Sequence, residues 1–171
     1  IVDNFSDEAN KDSQGRIAQA NFNVGQMLFD GYGVEQDQDE AITYYYQSAE
    51  LLNPNANYVM GAIIRRSGDQ ETSHQFFLRG AKLGNLNSQY NVSADFFNGD
   101  AVPKDLEQAF YWALIAERQG DTEISQLLEE IQNDGLVMIS VCQPPAYVRS
   151  FGGARKTSSP ESTEKHEDPK D

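Results

Sequence analysis

The side chains that could do covalent or metal chemistry are few in this sequence and lie far apart. Cys142 is the single cysteine, which excludes an internal disulfide and a cysteine-rich zinc site. It adjoins Pro144-Pro145 and has no histidine nearby, so we interpret it as an inert or weakly reactive thiol. His166 lies in a polar tail. His74 falls near the start of a predicted helix, where we expect an exposed or half-exposed side chain and no metal ligand.

Two loops have compositions that could bind ions, but both lack required residues. The segment Glu35-Gln-Asp-Gln-Asp-Glu40 alternates carboxylates without the turn glycine and closing glutamate of a calcium loop. We interpret Asp37 or Asp39 as the N-cap of the next helix, with Glu40 in its first turn. Gly31-Tyr-Gly33 lacks the Lys-Ser/Thr of a phosphate loop. We therefore expect no catalytic residue, no metal and no cofactor, and we predict that the chain is not an enzyme.

Composition narrows the classes of partner. The chain has 171 residues and a formal net charge of -14, which disfavours nucleic-acid binding because neutralising phosphates needs an excess of Lys and Arg. No apolar run approaches the roughly 18 residues of a membrane span. The length suggests one domain with polar ends. Since the sequence starts at Ile1 and not at Met, we expect a processed form or a fragment.

A pattern of residues occurs three times along the chain. In the first and third copies an aromatic residue, Asn and Val precede a small residue, and an apolar-aromatic pair and a Gly follow it. The anchor positions of the three copies are Gly25, Gly61 and Ser93. The apolar spacing i, i+4, i+8 in this half predicts a helix. The three copies of this half are Gln19-Ala-Asn-Phe-Asn-Val-Gly-Gln-Met-Leu-Phe-Asp-Gly31, Asn55-Ala-Asn-Tyr-Val-Met-Gly-Ala-Ile-Ile-Arg-Arg-Ser67 and Asn87-Ser-Gln-Tyr-Asn-Val-Ser-Ala-Asp-Phe-Phe-Asn-Gly99.

Each copy continues into a second predicted helix, with small residues such as Ala49 and Ala81 that let the two helices approach closely. The middle copy shortens the connecting loop by four residues, to Ser67-Gly-Asp69. None of these helical hairpins can bury its apolar stripe alone, so we expect the three to stack. The second helices are Ala41-Ile-Thr-Tyr-Tyr-Tyr-Gln-Ser-Ala49, Ser73-His-Gln-Phe-Phe-Leu-Arg-Gly-Ala81 and Ala109-Phe-Tyr-Trp-Ala-Leu-Ile-Ala-Glu117.

These features divide the chain into a repeat region and its flanks. The repeat region, 13–134, begins at an N-cap at Asp12 or Ser13 and ends in a capping helix whose apolar stripe is Ile124, Leu127, Leu128 and Ile131. Gly, Lys, Ser, Pro and Glu dominate the last residues, which predicts a disordered polar tail. The predicted segments are a polar N-terminus 1–12, repeats 19–53, 54–87 and 88–120, a capping helix 121–134, an apolar and proline-containing extension 135–151, and the tail 152–171.

The repeats resemble the Sel-one-like repeat, a relative of the tetratricopeptide repeat. Gly31-Tyr-Gly-Val34 with Asp37 and Ala41 matches the long loop of that family, and Ser88-Gln-Tyr-Asn-Val92 with Ala109-Phe-Tyr-Trp112 matches its two helices. The resemblance covers residues 16 to 134, and the middle copy departs from it in its loop. It implies an all-α fold, a right-handed α/α superhelix, used as a protein-interaction scaffold without catalytic residues. Together with the start at Ile1 in place of Met, the resemblance also slightly favours a periplasmic or secreted location over a cytoplasmic one.

A row of side chains on the first helices is the candidate partner-binding surface. If these helices line the concave face, as the resemblance implies, aromatic and Arg side chains there could bind an extended or helical peptide. The alternative is that the aromatic residues form core between repeats, which does not account for Arg65 or Arg66. The candidates are Gln26, three equivalent positions at Phe22, Tyr58 and Tyr90, three at Phe29, Arg65 and Phe97, and three at Asp30, Arg66 and Asn98.

Charge differs between the repeats. Repeat 19–53 has six acidic and no basic residues, repeat 54–87 has four basic against two acidic, and repeat 88–120 has five acidic against two basic. The basic band offsets neighbouring acids through pairs between repeats, or it binds an acidic side chain or C-terminal carboxylate of a partner. A self-associating structural protein, using the apolar run 136–141, is the alternative to an interaction scaffold. An enzyme on the same scaffold is the least favoured function.

Overall fold

The computed structural model describes residues 3–120 and 124–135, which form seven α-helices and no strand. The all-α prediction is therefore confirmed. No helix in this part of the chain is long and apolar enough to cross a bilayer. The helices are α1 (Asp3–Asp30), α2 (Gln38–Glu50), α3 (Pro54–Arg66), α4 (Gln70–Lys82), α5 (Leu86–Asn98), α6 (Leu106–Arg118) and α7 (Ile124–Gly135).

The helices pack in chain order as an α/α solenoid. Helix α1 packs on α2, α3 on α4 and α5 on α6, which makes three hairpins, and successive hairpins join where α2 packs on α3 and α4 on α5. Helix α7 packs mainly on α6. Each helix thus contacts mainly its neighbours in the chain, as in repeat proteins generally. The predicted stacking of helical hairpins is confirmed.

Asp and Asn side chains start the helices. The Asp37 carboxylate accepts a hydrogen bond from the Glu40 N–H at 2.9 Å, which confirms one of the two predicted N-caps in the acidic loop. Asn53 caps α3 and Asp105 caps α6 in the same manner. At the C-terminal end of α5, Gly99 adopts a left-handed conformation with φ +79° that ends the helix. The turn residues seen in the sequence therefore have the predicted roles.

The loops within the hairpins differ in length as predicted. Seven residues join α1 to α2 (31–37) and α5 to α6 (99–105), whereas three residues (67–69) join α3 to α4. The long loops fold back on the helix that they leave. The Asp37 N–H donates to the Leu28 carbonyl at 3.0 Å, and the Asp105 N–H donates to the Phe96 carbonyl at 2.9 Å.

Small anchor residues allow the two helices of each hairpin to pack closely, as predicted. A Cβ atom added at Gly61 would lie 2.7 Å from the Phe77 ring, and one added at Gly25 would lie 2.8 Å from the Tyr45 ring. In the third hairpin the buried Ser93 hydroxyl donates to the Ala109 carbonyl at 2.7 Å.

The core runs along the solenoid in contiguous clusters. Phe77 and Trp112 are almost fully buried in its middle. The apolar stripe of α7 is also buried, so the prediction for this helix is confirmed for Ile124, Leu127, Leu128 and Ile131.

The predicted start of the first helix is wrong. Helix α1 begins at Asp3 and continues through Asp12 and Ser13, whose side chains accept hydrogen bonds from Arg16 and do not cap free amides. No proline separates this polar stretch from the repeat, and the i, i+4 pair of Asp12 and Arg16 supports a continuous helix across Gly15. The predicted extension beyond Gly135, the tail 152–171, Cys142 and His166 lie outside the described residues.

Candidate functional site

An open groove of about 330 Å³ lies between α1, α2 and α3. Five of the ten residues predicted for partner binding line it, and they come from equivalent helices of two repeats. The walls also include apolar residues that α2 and α3 contribute. The lining consists of the predicted residues Gln26, Phe29, Asp30, Tyr58 and Arg66, together with Tyr45, Val59, Ala62 and Ile63.

Aromatic packing fixes the walls of the groove. Gly25 lets the Tyr45 ring approach α1, where it contacts Phe22 and Phe29 with centroid separations of 5.6 and 6.3 Å. Tyr58 packs against Phe77 at 6.0 Å, so the core of the second hairpin supports it. The walls are therefore held by the packing between helices and do not depend on loops.

The groove has one charged residue on each of its two outer helices. Asp30 is exposed at the end of α1, and Arg66 is exposed at the end of α3. Burial raises the pKa of the Tyr45 phenol, and the nearby Asp30 carboxylate raises it further. Both effects favour the neutral form of the Tyr45 phenol.

Arg65 does not line the groove and instead forms a contact between repeats. Its Nη2 atom lies 2.7 Å from Asp95 Oδ1 and 2.8 Å from Asp95 Oδ2. Its Nε donates to the Ser73 hydroxyl at 3.1 Å, and its guanidinium lies 4.6 Å from the centroid of the Phe77 ring. The basic band of the middle repeat thus pairs in part with acids of its neighbours, as the alternative interpretation held; Arg79 likewise contacts Glu50 at 2.9 Å.

His74 belongs to the same cluster, and the prediction that it is exposed or half-exposed is wrong. Its Nδ1 atom lies 2.8 Å from Asp95 Oδ2, and its ring meets Phe96 edge-on at 5.3 Å. Both His74 and Asp95 are buried. The physical reason is that the Asp95 carboxylate gives the imidazole a polar partner, which makes its burial tolerable.

Asp95 is the residue that sequence reasoning missed. It occupies the repeat position of Met27 and Ile63, where the other copies have apolar side chains. A carboxylate at a core position needs a partner, so this substitution was a usable signal for an ion pair between repeats.

The other predicted site residues lie outside the groove lining. Phe22 is buried with 8% exposure and packs on Tyr45, so it is core between helices. In the third repeat, Tyr90 is 37% exposed and Asn98 is exposed, whereas Phe97 is partly buried with Lys104 Nζ 5.0 Å from its ring centroid. Equivalent positions in the repeats therefore have different surroundings. Within residues 3–120 and 124–135, no three His, Cys, Asp or Glu residues cluster in a way that could hold a metal ion.

Comparisons with known proteins agree with this architecture. A Sel1 repeat model matches residues 18–51, 56–85 and 86–121. The chain is similar to the alginate biosynthesis protein AlgK of Azotobacter vinelandii, with 27% identity over 113 residues, which is 64% of this chain. It spans about a quarter of the length of that relative, since the match covers 24% of it.

Two solved structures share the fold. The crystal structure of a Sel1 repeat protein from Oxalobacter formigenes superposes with a TM-score of 0.65 and 27% identity, covering 76% of this chain and 99% of that one. A protective antigen of uropathogenic Escherichia coli strains, which displays an SLR fold, superposes with a TM-score of 0.61 and 25% identity over 68% of this chain and 26% of that one. The helical hairpins, their small anchor residues and the family match together show that this chain belongs to the Sel1 repeat family.

Proposed function

We propose that this chain is a protein-interaction module that binds a segment of a partner protein in the groove between α1, α2 and α3. The observation that carries the proposal is the groove itself, which is walled by Phe29, Tyr45 and Tyr58 and flanked by Asp30 and Arg66. Tyr and Arg are among the residues that most often dominate protein interfaces. The volume of about 330 Å³ suits a few side chains of a peptide better than a large cofactor.

The charges of the groove support a binding role. Asp30 is the last residue of α1, where the helix dipole disfavours a carboxylate, so its charge does not stabilise the helix that carries it. Arg66, in contrast, is favourably placed at the end of α3. A partner segment with an apolar side chain for the aromatic walls, a basic group near Asp30 and an acidic group near Arg66 would match this arrangement.

The groove does not favour an enzymatic function. Its nine lining residues include no Ser, Thr, Cys, His or Lys, so the residue types that most often serve as nucleophile and base in covalent catalysis are not among them. A periplasmic or secreted location stays a prediction, which cell fractionation of the native organism would test.

Affinity capture with matched variants tests the proposal. The chain would be used as bait in an extract of the native organism, and captured proteins would then be titrated individually against the wild type and two variants. Arg66→Glu reverses the charge at the groove, and Lys82→Glu makes the same reversal at an exposed position of the same repeat outside the groove lining. We expect R66E to weaken binding at least tenfold and K82E to leave it nearly unchanged.

A second variant fills the groove without a change of charge. Ala62 lines the groove and is partly exposed, so Ala62→Gln would occupy its space. We expect loss of partner binding with a melting temperature close to that of the wild type. Equal binding by the wild type, A62Q and R66E would place the partner on another surface and overturn the proposal. Arg65 is unsuitable for this test because its substitution would disturb the contact with Asp95.

A further inference from the structure

Helix α1 has an exposed apolar seam on a face that does not line the groove. Ile17, Val24 and Met27 are 53%, 36% and 39% exposed, and Ala20 is exposed beside them. Their spacing of three, four and three residues is that of the a and d positions of a coiled coil over two heptads. Large apolar side chains in one continuous row on a helix mark a packing surface.

Equivalent positions in the next repeats show what this row does. Met60 and Val92 occupy the place of Val24 and are 6% and 0% exposed, because the preceding hairpin packs on α3 and α5 there. Ala56 and Ser88 occupy the place of Ala20 and are fully buried. At these two positions the first helix packs against the preceding hairpin in the second and third repeats, whereas in α1 the same positions are exposed.

We propose that this seam pairs with the same seam of a second copy, with the two α1 helices antiparallel. A twofold axis between Ala20 and Val24 places Ile17 opposite Met27 of the second copy and Ala20 opposite Val24 of the second copy. Val24 then meets the small Ala20, and Ile17 meets the flexible side chain of Met27, as a self-complementary interface requires. The antiparallel arrangement also brings together opposite ends of the two helix dipoles.

Charge favours the same register. Arg16 and Asp30 lie on the same flank of the seam at its two ends, and both are exposed. In the antiparallel pair Arg16 of one copy approaches the last turn of α1 in the other, where Asp30 lies. A parallel pair would place this flank against the opposite flank of the second copy, so the contact between Arg16 and Asp30 would be lost.

The last described helix, α7, disfavours head-to-tail stacking. The outward side of α7 exposes Gln126, Glu129 and Glu130. Head-to-tail contact would place these polar and acidic side chains on Ile17 and Val24, and their desolvation would not be compensated. Pairing through α1 is therefore a closed, twofold contact and not the start of a filament.

Sedimentation equilibrium of the full chain over a range of concentrations tests the pairing. We expect the mass to rise from 19.1 kDa towards twice that value as concentration increases. Val24→Asp should hold the mass at that of the monomer. Leu83→Asp is the matched control, because Leu83 is 38% exposed at the end of α4 in the second hairpin, outside the seam, and it should behave as the wild type. A wild type that stays monomeric throughout, or a V24D variant that still dimerises, would overturn the proposal.

Disulfide cross-linking tests the register. With Cys142 replaced by Ser, the double variant Ala20→Cys plus Val24→Cys should oxidise to a covalent dimer, because antiparallel pairing sets position 20 opposite position 24 within disulfide range. Each single-cysteine variant should cross-link much less. Efficient cross-linking of the A20C single variant would indicate a parallel pair and contradict the arrangement. Arg66→Glu should leave dimerisation unchanged, so failure of the groove proposal and failure of this one are distinguishable.

Discussion

Arg65 of the second hairpin and Asp95 of the third are joined by a contact of 2.7 Å between Nη2 and Oδ1. The Asp95 side chain is 5% exposed and also lies 2.8 Å from the buried His74 imidazole. One carboxylate therefore connects both helices of one repeat to the first helix of the next. This joint is specific to the interface of the second and third hairpins, because the interface of the first and second has Phe29 and Ile63 at the positions of Arg65 and Asp95.

Removal of Arg65 is expected to destabilise the fold. Arg65→Ala leaves the Asp95 carboxylate buried without its main ion-pair partner, which should cost about 3 kcal/mol of unfolding free energy. Arg66→Ala, one residue away and exposed, should change stability by less than about 0.5 kcal/mol. Urea unfolding followed by circular dichroism measures both values. Similar midpoints for the two variants would show that the pair contributes little.

Two glycines in helices should respond to alanine in opposite directions. At Gly61 the added methyl group would lie 2.7 Å from Phe77, and Gly61→Ala should cost about 1–3 kcal/mol through overpacking. At Gly15 no atom lies within 4 Å, so Gly15→Ala should stabilise by about 0.5–1 kcal/mol through helix propensity alone. Thermal unfolding of the two variants compares them directly. A stabilised G61A variant would mean that α3 and α4 can move apart without a loss of unfolding free energy, which would contradict the prediction.

The cap of α4 should make stability depend on pH in the acidic range. Hydrogen bonds from the Thr72 hydroxyl and N–H hold the pKa of Asp69 below its usual value. A lowered pKa in the folded state gives a stabilisation that is present above the unfolded pKa of about 3.9 and is lost as the pH falls through the folded value.

The stability difference between the wild type and Asp69→Ala should therefore shrink on acidification. Asp69→Asn keeps a capping oxygen without a titrating charge, so its difference from Asp69→Ala should not follow this titration. Urea midpoints of the three proteins across the acidic range would measure the effect. If the urea midpoints of the wild type and of Asp69→Asn changed in parallel with pH, Asp69 would be ruled out as the titrating group.

The phenol of Tyr45 should act in the opposite direction at alkaline pH. Burial and then Asp30 raise its pKa, so its stabilisation is complete below the unfolded value of 10.0 and is lost as the pH rises through the folded value. Tyr45→Phe should remove this part of the alkaline loss of stability. Asp30→Asn should lower the pKa of Tyr45. An ultraviolet titration of the wild type against Y45F gives the pKa with Asp30 present, and one of D30N against D30N/Y45F gives it without Asp30. An unchanged pKa would show that Asp30 does not act on the phenol.

Local patterns in the sequence were sufficient to predict the fold. Glycines at close helix contacts, Asp and Asn caps and the shortened loop 67–69 are encoded by neighbouring residues, and the structure has each of them in the predicted role. The start of α1 was missed because a polar helix of charged and amide residues has no apolar periodicity, which is the signal that marks a packed helix.

The candidate site was predictable only in part. Alignment of the repeats assigned Phe29, Asp30, Tyr58 and Arg66 to one predicted surface, and all four line one groove. That alignment considered only the first helix of each repeat, so it did not predict that Tyr45, from the second helix, lines the same groove. Nor could it distinguish Arg66 from Arg65, because the role of each depends on which residue of the next repeat faces it, and adjacent helical positions point in directions about 100° apart.

The short loop of the middle hairpin has a consequence for the order of folding. Closing three loop residues instead of seven reduces the loop-closure entropy cost of the α3–α4 hairpin by about 0.7 kcal/mol relative to its neighbours. Nearest-neighbour repeats fold by propagation from whichever unit forms first. The hairpin with the lowest loop-closure cost thus lies at the centre of the array, and native structure can extend from it towards both ends.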